Sequence, residues 1–249
     1  TAVPVVLAAK MFGVPVWVHS QDVEVTLTTR LTAPLADRLT VAWEASATAL
    51  GAKARVVGNP VRHSVLTGSK ERAQERFVLD TEKPTVLVFG GGTGAVWLNS
   101  MTTEIIARLL KKANVIHITG RGKKASQLSH EHYAVREFLR EEMADALALA
   151  DLLVCRAGMG TITELAALAK AAILIPIPGS AQEKNAAAVQ DACVVLDQRS
   201  TTSDALLQTI ESLLQDPDER QSLGKKMHSK LRTDVADELA EMLLATVQQ

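Results

Sequence analysis

Residues 151–164 read DLLVCRAGMGTITE, where an apolar stretch at 152–155 runs into a glycine-bearing turn and then into a predicted helix opening at Thr161. A junction of strand, turn and helix is typical of parallel α/β sheets. The turn exposes backbone N–H groups and the helix N-terminus carries partial positive charge, so the junction favours a nucleotide phosphate. The sequence therefore predicts a protein that handles a nucleotide or a nucleotide-activated substrate.

Strand-like and helix-like stretches alternate along the chain. The predicted strands are short and apolar, and they comprise residues 14–19, 39–42, 55–57, 85–89, 114–118, 135–138, 152–155, 172–175 and 193–196. The predicted helices comprise residues 98–111, 142–150, 161–169, 183–191, 204–214 and 235–247. This alternation predicts an α/β fold with parallel, doubly wound sheets.

The composition limits the class of protein. Of 249 residues, 47% are hydrophobic and 22% are charged, with a formal net charge of -1. This balance, without a long basic run, argues against nucleic acid as the main partner. Cys155 and Cys193 lie in apolar runs typical of buried free thiols, which favours a reducing compartment, the cytoplasm. No apolar run is long enough for a membrane-spanning helix.

The N-terminal segment suggests two domains. A helix-like apolar run at residues 3–12 starts without a capping segment, so we expect an N-terminal region to precede Thr1. Residues 58–62, followed by the charged run 70–76, have the pattern of a linker and a first helix. They are expected to separate a partial N-terminal domain from a complete C-terminal one.

Three segments are candidate ligand sites, each with a structural alternative. The stretch FGGGTGA at 89–95 follows a predicted strand, and its glycines either let backbone approach a ligand or serve a tight turn with positive φ. Thr161 and Glu164 form a T-x-x-E capping box, and Glu164 is also placed to accept hydrogen bonds from ribose hydroxyls. In PIPGSAQEKN at 176–185, Gln182 and Asn185 either match sugar hydroxyls or are N-cap residues of a solvated loop.

The segments taken together resemble one family, the MurG family of N-acetylglucosaminyltransferases in peptidoglycan synthesis. The resemblance is carried by HSQD (19–22), VVGNPVR (56–62), VLVFGGGTGA (86–95), HITGRG (117–122), FLREEM (138–143), CRAGMGTITELA (155–166) and QEKNA (182–186). It implies a GT-B fold of two Rossmann-like domains facing each other across a cleft, with the N-terminal one incomplete here. The implied parts are residues 1–57 on the acceptor side, residues 58–234 for the UDP-sugar, and residues 235–249 as a helix returning to the N-terminal domain.

The resemblance also implies a set of donor-site residues, namely Arg62, Gly92, Thr93, Leu139, Gly160, Thr161, Glu164, Gln182 and Asn185. Leu139 would offer backbone groups to uracil, and Glu164 would bind the ribose hydroxyls. Gly160 and Thr161 would lie against the diphosphate. Arg62 would approach the phosphates across the cleft, unless it is a solvated charge of the linker.

The sugar-side and acceptor-side residues follow in the same way. Gln182 and Asn185 would recognise the hydroxyls of N-acetylglucosamine. His19, Gln21 and Asp22 match the acceptor-side loop, although His19, at a strand end, could equally be a hydrogen-bonded structural residue.

The implied activity is that of an inverting glycosyltransferase, which moves N-acetylglucosamine from UDP to a lipid-linked muramoyl peptide. The resemblance implies a cytoplasmic protein in peripheral contact with the inner face of the cell membrane. We expect no cofactor and no essential metal, because Asp216-Pro-Asp218 has the pattern of a helix start. The catalytic base is expected in the missing N-terminal region, so the fragment is expected to be inactive alone.

Two alternatives remain open from the sequence. One is another UDP-sugar glycosyltransferase of the same fold, acting on a glycolipid or a natural product. The other is a nucleotide-sugar-binding subunit that needs a separate partner for the acceptor half.

Overall fold

The computed structural model describes residues 2–91, 95–123 and 128–247. The described residues fall into two compact units. The first comprises residues up to Val61 and from Leu231 onward, and the second comprises Arg62–Lys230. Their assignment to an acceptor side and a donor side stays a prediction.

Strands and helices alternate in both units. The described strands are β1 Trp17–Ser20, β2 Arg38–Val41, β3 Ala54–Val56, β4 Thr85–Phe89, β5 Asn114–Ile118, β6 Tyr133–Arg136, β7 Leu152–Cys155, β8 Ala172–Leu174 and β9 Val194–Val195. The described α-helices are α1 Ala2–Met11, α2 Leu27–Thr32, α3 Glu44–Leu50, α4 His63–Leu66, α5 Lys70–Phe77, α6 Val96–Leu109, α7 Glu142–Leu149, α8 Met159–Ala167, α9 Ala181–Ala188, α10 Ser203–Gln215, α11 Pro217–Lys230 and α12 Ala236–Val247. A 3₁₀ turn covers Ala33–Leu35.

The second unit is built on a parallel six-stranded sheet in the order β6-β5-β4-β7-β8-β9. Every residue of β4, β5, β7 and β8 is buried, as expected for strands covered on both faces. The predicted doubly wound α/β fold is therefore confirmed. Since β4 pairs with β5 on one side and with β7 on the other, the chain leaves β4 and β7 in opposite directions, and a crevice opens at their carboxyl ends.

One face of this sheet carries a large hydrophobic core. Val86, Val154 and Ile173 point to this face and pack with apolar side chains of α6 and α10. Leu87 and Leu153 are also fully buried, and the two-residue period of a strand directs them to the opposite face. Burial on both faces leaves the ends of the strands as the place for polar chemistry.

The first unit holds a smaller parallel sheet, ordered β1-β2-β3. Segment 58–61 crosses the backbone segment at Arg232 and Thr233. The N–H of Asn59 donates to the Arg232 carbonyl at 2.9 Å, and the N–H of Val61 donates to the Thr233 carbonyl at 3.2 Å. Gly58 has φ +94°, and a Cβ there would overlap the Arg232 carbonyl. Only glycine therefore fits this crossing.

Several predicted bounds are wrong in detail. The strand predicted at 14–19 begins at Trp17, because the Val16 N–H donates at 2.7 Å to the carboxylate of Asp37 rather than to a strand. The strand predicted at 135–138 lies at Tyr133–Arg136, since its partner β5 ends opposite Arg136. Helices α2, α3 and α4 were not predicted as helices. For α11 only the start at Asp216-Pro-Asp218 was predicted, and the helix begins there at Pro217, where the Asp216 carboxylate accepts from the N–H of Glu219 at 2.9 Å.

A buried polar network joins α6 to β5 and β6. His117 is fully buried, with Nδ1 2.8 Å from the Tyr133 hydroxyl and Nε2 3.1 Å from Asn99 Oδ1. The amide of Asn99 donates to the Thr119 carbonyl at 3.0 Å, so its Oδ1 must accept from His117. In neutral His117 the proton therefore lies on Nε2, and the Tyr133 hydroxyl donates to Nδ1.

Protonation of His117 is expected to destabilise the fold. Burial lowers the pKa of His117 from 6.5 to about 4. An unfolded chain binds the proton below about pH 6.5, so the free energy of unfolding falls by about 1.4 kcal/mol per pH unit from there to about pH 4, about 3 kcal/mol in all. Urea unfolding at about pH 7, 5.5 and 4.5 should show this slope. In His117→Asn the slope should be shallower, though not zero, because burial also lowers the pKa of His19, which the variant retains. Equal slopes in the two chains would contradict the prediction.

Candidate functional site

A cavity of about 640 Å³ opens at the carboxyl ends of the central strands in the second unit. Its wall combines residues that follow β4, β5 and β6 with the first turns of α4 and α8. Its size is within the range of small-molecule sites, and its place matches the rule that open α/β sheets bind ligands where the strand order switches. This cavity is the candidate site.

The N-terminus of α8 forms one wall. The helix begins at Met159 with Gly158 as its N-cap, and no side chain caps it. Gly160 is exposed, and a Cβ there would meet nothing within 4 Å. The backbone N–H groups of this first turn therefore carry the partial positive charge that favours a phosphate. The predicted capping box is wrong, because Thr161 lies inside the helix and Glu164 one turn further on.

Glu164 is instead paired with Arg62. The Arg62 guanidinium donates to Glu164 Oε1 at 2.7 Å, and both residues line the cavity. The Glu164 side chain is 13% exposed and that of Arg62 is 70% exposed. Arg62 and Glu164 belong to the same unit, and the approach of Arg62 to the phosphates stays a prediction. The pair places a cation and a carboxylate side by side at the cavity wall.

The segment after β6 forms another part of the wall. Leu139 is buried and lines the cavity, whereas its neighbour Phe138 is 42% exposed. The guanidinium carbon of Arg121 lies 4.8 Å from the Phe138 ring centroid, within cation–π distance. An apolar backbone segment with a flat aromatic ring beside it suits a planar base.

The residues predicted to contact the sugar, Gln182 and Asn185, lie outside the cavity wall. Ser180 is the N-cap of α9, so the alternative that Gln182 or Asn185 caps this helix is wrong. Gln182 Oε1 accepts from the N–H of Ile177 at 3.1 Å. Asn185 is 1% exposed and donates through Nδ2 to the Ala157 carbonyl at 3.3 Å. Asn185 therefore joins α9 to the turn before α8.

The residues predicted for the acceptor side lie in the first unit. His19 is hydrogen-bonded at both ring nitrogens, to Thr40 Oγ1 at 3.0 Å and to Asn59 Oδ1 at 3.3 Å. Burial lowers the pKa of His19 and outweighs the opposing effect of the Asn59 bond. The carbonyl of Gln21 accepts from the side chain of Trp43, the N-cap of α3, and that of Asp22 accepts from the hydroxyl of Ser46 in α3. These contacts hold the loop in place.

Five of the predicted donor residues meet around the cavity, namely Arg62, Leu139, Gly160, Thr161 and Glu164. Gly92 and Thr93 lie outside the described residues. Other residues of the wall were not predicted as site residues, and Arg121 and Phe138 are among them. The sequence signal that could have identified them is their position, since each follows a strand of the parallel sheet at its carboxyl end.

Comparison with known proteins agrees with this architecture. The glycosyltransferase family 28 C-terminal domain matches residues 85–239. A UDP-N-acetylglucosamine--N-acetylmuramyl-(pentapeptide) pyrophosphoryl-undecaprenol N-acetylglucosamine transferase of Clostridium perfringens is 35% identical over 85% of this chain and 61% of its own length. The protein of the same name in Desulforamulus reducens is 32% identical over 95% of this chain and 68% of its own.

Solved structures show the same fold. MurG of Acinetobacter baumannii superimposes with a TM-score of 0.75 at 23% identity, covering 98% of this chain and 70% of the other. The UDP-GlcNAc 2-epimerase of Neisseria meningitidis, solved bound to UDP-GlcNAc, gives a TM-score of 0.69 at 13% identity, over 96% and 72% of the two chains. At these identities the likeness concerns the fold alone.

The fold is that of the GT-B glycosyltransferases, in keeping with parallel sheets in two units. The chain belongs to glycosyltransferase family 28 and, within it, to the MurG family, which confirms the resemblance noted in the sequence. It spans 61% of the length of the Clostridium perfringens relative. Among the described residues, no helix combines the length and the apolar character needed to cross a membrane.

The corrected start of α8 gives a test by substitution. Thr161→Ala should cost less than about 0.5 kcal/mol, because Thr161 caps nothing and alanine favours a helix. Thr202→Ala is the matched control: Thr202 is the N-cap of α10, and its side chain accepts from the N–H of Ala205 at 3.2 Å. The control should cost about 1 kcal/mol in chemical denaturation. A larger loss at Thr161 than at Thr202 would restore the capping box.

Proposed function

We propose that the cavity of the second unit binds a UDP-sugar and that the chain carries the donor half of a GlcNAc transferase. The single observation that carries the proposal is the convergence of the uncapped α8 N-terminus, the Arg62–Glu164 pair and Leu139 on one cavity. The relatives named above support the choice of donor and acceptor.

Each residue has a proposed role in binding the donor. The backbone of Leu139 pairs with uracil, and Glu164 accepts from the ribose hydroxyls. Gly160 and Thr161 lie against the diphosphate, where the helix dipole attracts negative charge. Gln182 contacts the sugar. Asn185 is buried and acts indirectly, by holding in place the turn at Ala157. We keep Gly92 and Thr93 as proposed donor contacts on the resemblance alone.

The proposed reaction is a direct displacement with inversion. An acceptor sugar hydroxyl attacks the anomeric carbon, the bond to the β-phosphate oxygen breaks, and UDP leaves with the electron pair. Negative charge grows on the diphosphate during this step. The α8 N-terminus and Arg62 stabilise that charge, so this half of the enzyme acts mainly through electrostatics. The hydroxyl proton passes to a general base that we assign to none of the described residues.

We infer the acceptor and the location from the same relatives. Their name specifies a muramyl-pentapeptide on pyrophosphoryl-undecaprenol, a lipid. A lipid-linked acceptor requires contact with a membrane surface, and a UDP-sugar donor is consistent with the cytoplasmic side. His19, Gln21 and Asp22 are the proposed acceptor-side residues.

The donor class is tested by calorimetry. We expect the chain to bind UDP with a Kd between about 1 µM and 1 mM, and at least about tenfold more tightly than ADP or GDP. The reason is that a short backbone segment at Leu139 reads the edge of the base, and a purine presents a different edge. Equal affinities for UDP and ADP would contradict the proposal.

The role of Glu164 is tested by Glu164→Gln, which keeps the shape of the side chain and removes its charge. UDP affinity should fall by about 1–2 kcal/mol, because a charged acceptor for two hydroxyls is lost. Stability should change by less than about 1 kcal/mol, since the partner Arg62 is largely exposed. Glu183→Gln is the control. Glu183 lies in α9 and not in α8, and it pairs with Arg199 at 2.9 Å, so its substitution should leave UDP binding unchanged.

A further inference from the structure

Arg156 is a buried cation directly behind the turn that leads into α8. It follows β7 and is 6% exposed. In the described part of the chain, no carboxylate lies within ion-pair distance of its guanidinium. Nη1 donates instead to two backbone carbonyls, that of Ile175 at 2.9 Å and that of Pro176 at 3.4 Å. Burying a guanidinium without a counter-ion is costly, so a specific task is expected to offset the cost.

The two carbonyls begin the loop that leads to Gln182. A second bond ties the same elements in the opposite direction, because Asn185 in α9 donates to the carbonyl of Ala157, the residue after Arg156. The turn at Arg156 and Ala157 is therefore joined to both ends of the loop between β8 and α9. Gln182 lies between these two attachments, where its own Oε1 holds the N–H of Ile177.

A third element meets Arg156 from the other side. The guanidinium carbon lies 5.8 Å from the ring centroid of Trp97, in the first turn of α6 after β4. The buried Nε of Arg156 has no hydrogen-bond partner among the described residues. The elements that follow β4, β7 and β8 thus share one side chain, at the edge of the sheet where the cavity opens.

We propose that Arg156 is a positioning residue that sets the distance between the diphosphate-binding turn of α8 and the sugar-binding loop before α9. The proposal rests on the proposed function and deepens it. UDP contacts only the α8 turn, Glu164 and Leu139. A UDP-sugar also contacts the Gln182 loop, so that loop must lie at the correct distance from the α8 turn. Correct placement of two contacting groups improves binding only when their separation is fixed.

The chemistry of arginine fits this task. A planar guanidinium donates to two carbonyls and stacks on an indole at the same time, whereas an ammonium group can do only part of this. Lysine at position 156 would keep the charge and one carbonyl bond. Methionine would keep most of the volume and lose every hydrogen bond.

The test compares Kd values for UDP and for UDP-GlcNAc, measured by calorimetry on the complete 249-residue chain. In Arg156→Met the ratio of the UDP-GlcNAc Kd to the UDP Kd should rise at least about fivefold, while the UDP Kd changes by less than about twofold. In Arg156→Lys the same ratio should rise by a smaller factor. This variant replaces the methionine variant as the test if the latter does not fold. Arg199→Met is the matched control, because Arg199 also holds α9, through Glu183, but from the exposed side. The control should leave the ratio unchanged.

A double-mutant cycle sharpens the test. If Arg156 acts through Gln182, then Gln182→Ala and Arg156→Met are non-additive for UDP-GlcNAc and additive for UDP. An unchanged ratio, or an equal loss for both ligands, would overturn the proposal and leave Arg156 a structural residue. Failure of the unsubstituted chain to bind UDP would overturn the proposed function, an outcome distinct from a parallel loss in the variants.

Discussion

The pairing of β4 with β7 is the constraint on which the candidate site depends. Val86 to Phe89 lie in register with Leu152 to Cys155, and all eight side chains are buried. Apolar strands covered on both faces leave no room for polar chemistry inside the sheet. The chain leaves the two strands in opposite directions, so the groups able to hold a ligand gather at this one edge. The position of the cavity follows from strand order before any ligand-binding side chain is considered.

Buried polar groups in this unit sit where elements must be joined. The Asn114 amide donates to the Asp80 carbonyl at 2.7 Å and anchors the loop before β4. The Asp145 carboxylate accepts from the guanidinium of Arg72 at 2.7 Å and from the N–H of Ser69 at 2.8 Å, and so joins α7 to α5. Asn114 and Asp145 are both satisfied by partners distant in sequence, so these bonds form only in the tertiary fold and not within one helix or strand.

Local sequence patterns predicted the strands of the sheet well, but they did not predict contacts between residues distant in sequence. Strands 85–89, 114–118 and 152–155 have their predicted bounds, because apolar runs of this length are bounded by polar residues or glycine. The start of α8 was misplaced by two residues, since a glycine N-cap leaves no side-chain signal and Thr161 offers a false one. The pairing of Arg62 with Glu164 joins residues 102 positions apart, a separation that no periodicity encodes.

The crossing of Gly58 with Arg232 bears on how relatives are recognised. The segment VVGNPVR looks like a ligand motif, yet its glycine is required by the Arg232 carbonyl and its asparagine is hydrogen-bonded to that carbonyl and to His19. Only the last residue of the segment reaches the cavity. A search with this segment therefore selects chains that share a crossing of two backbone segments, whatever sugar or acceptor they use. Substrate preference must be sought in the loops.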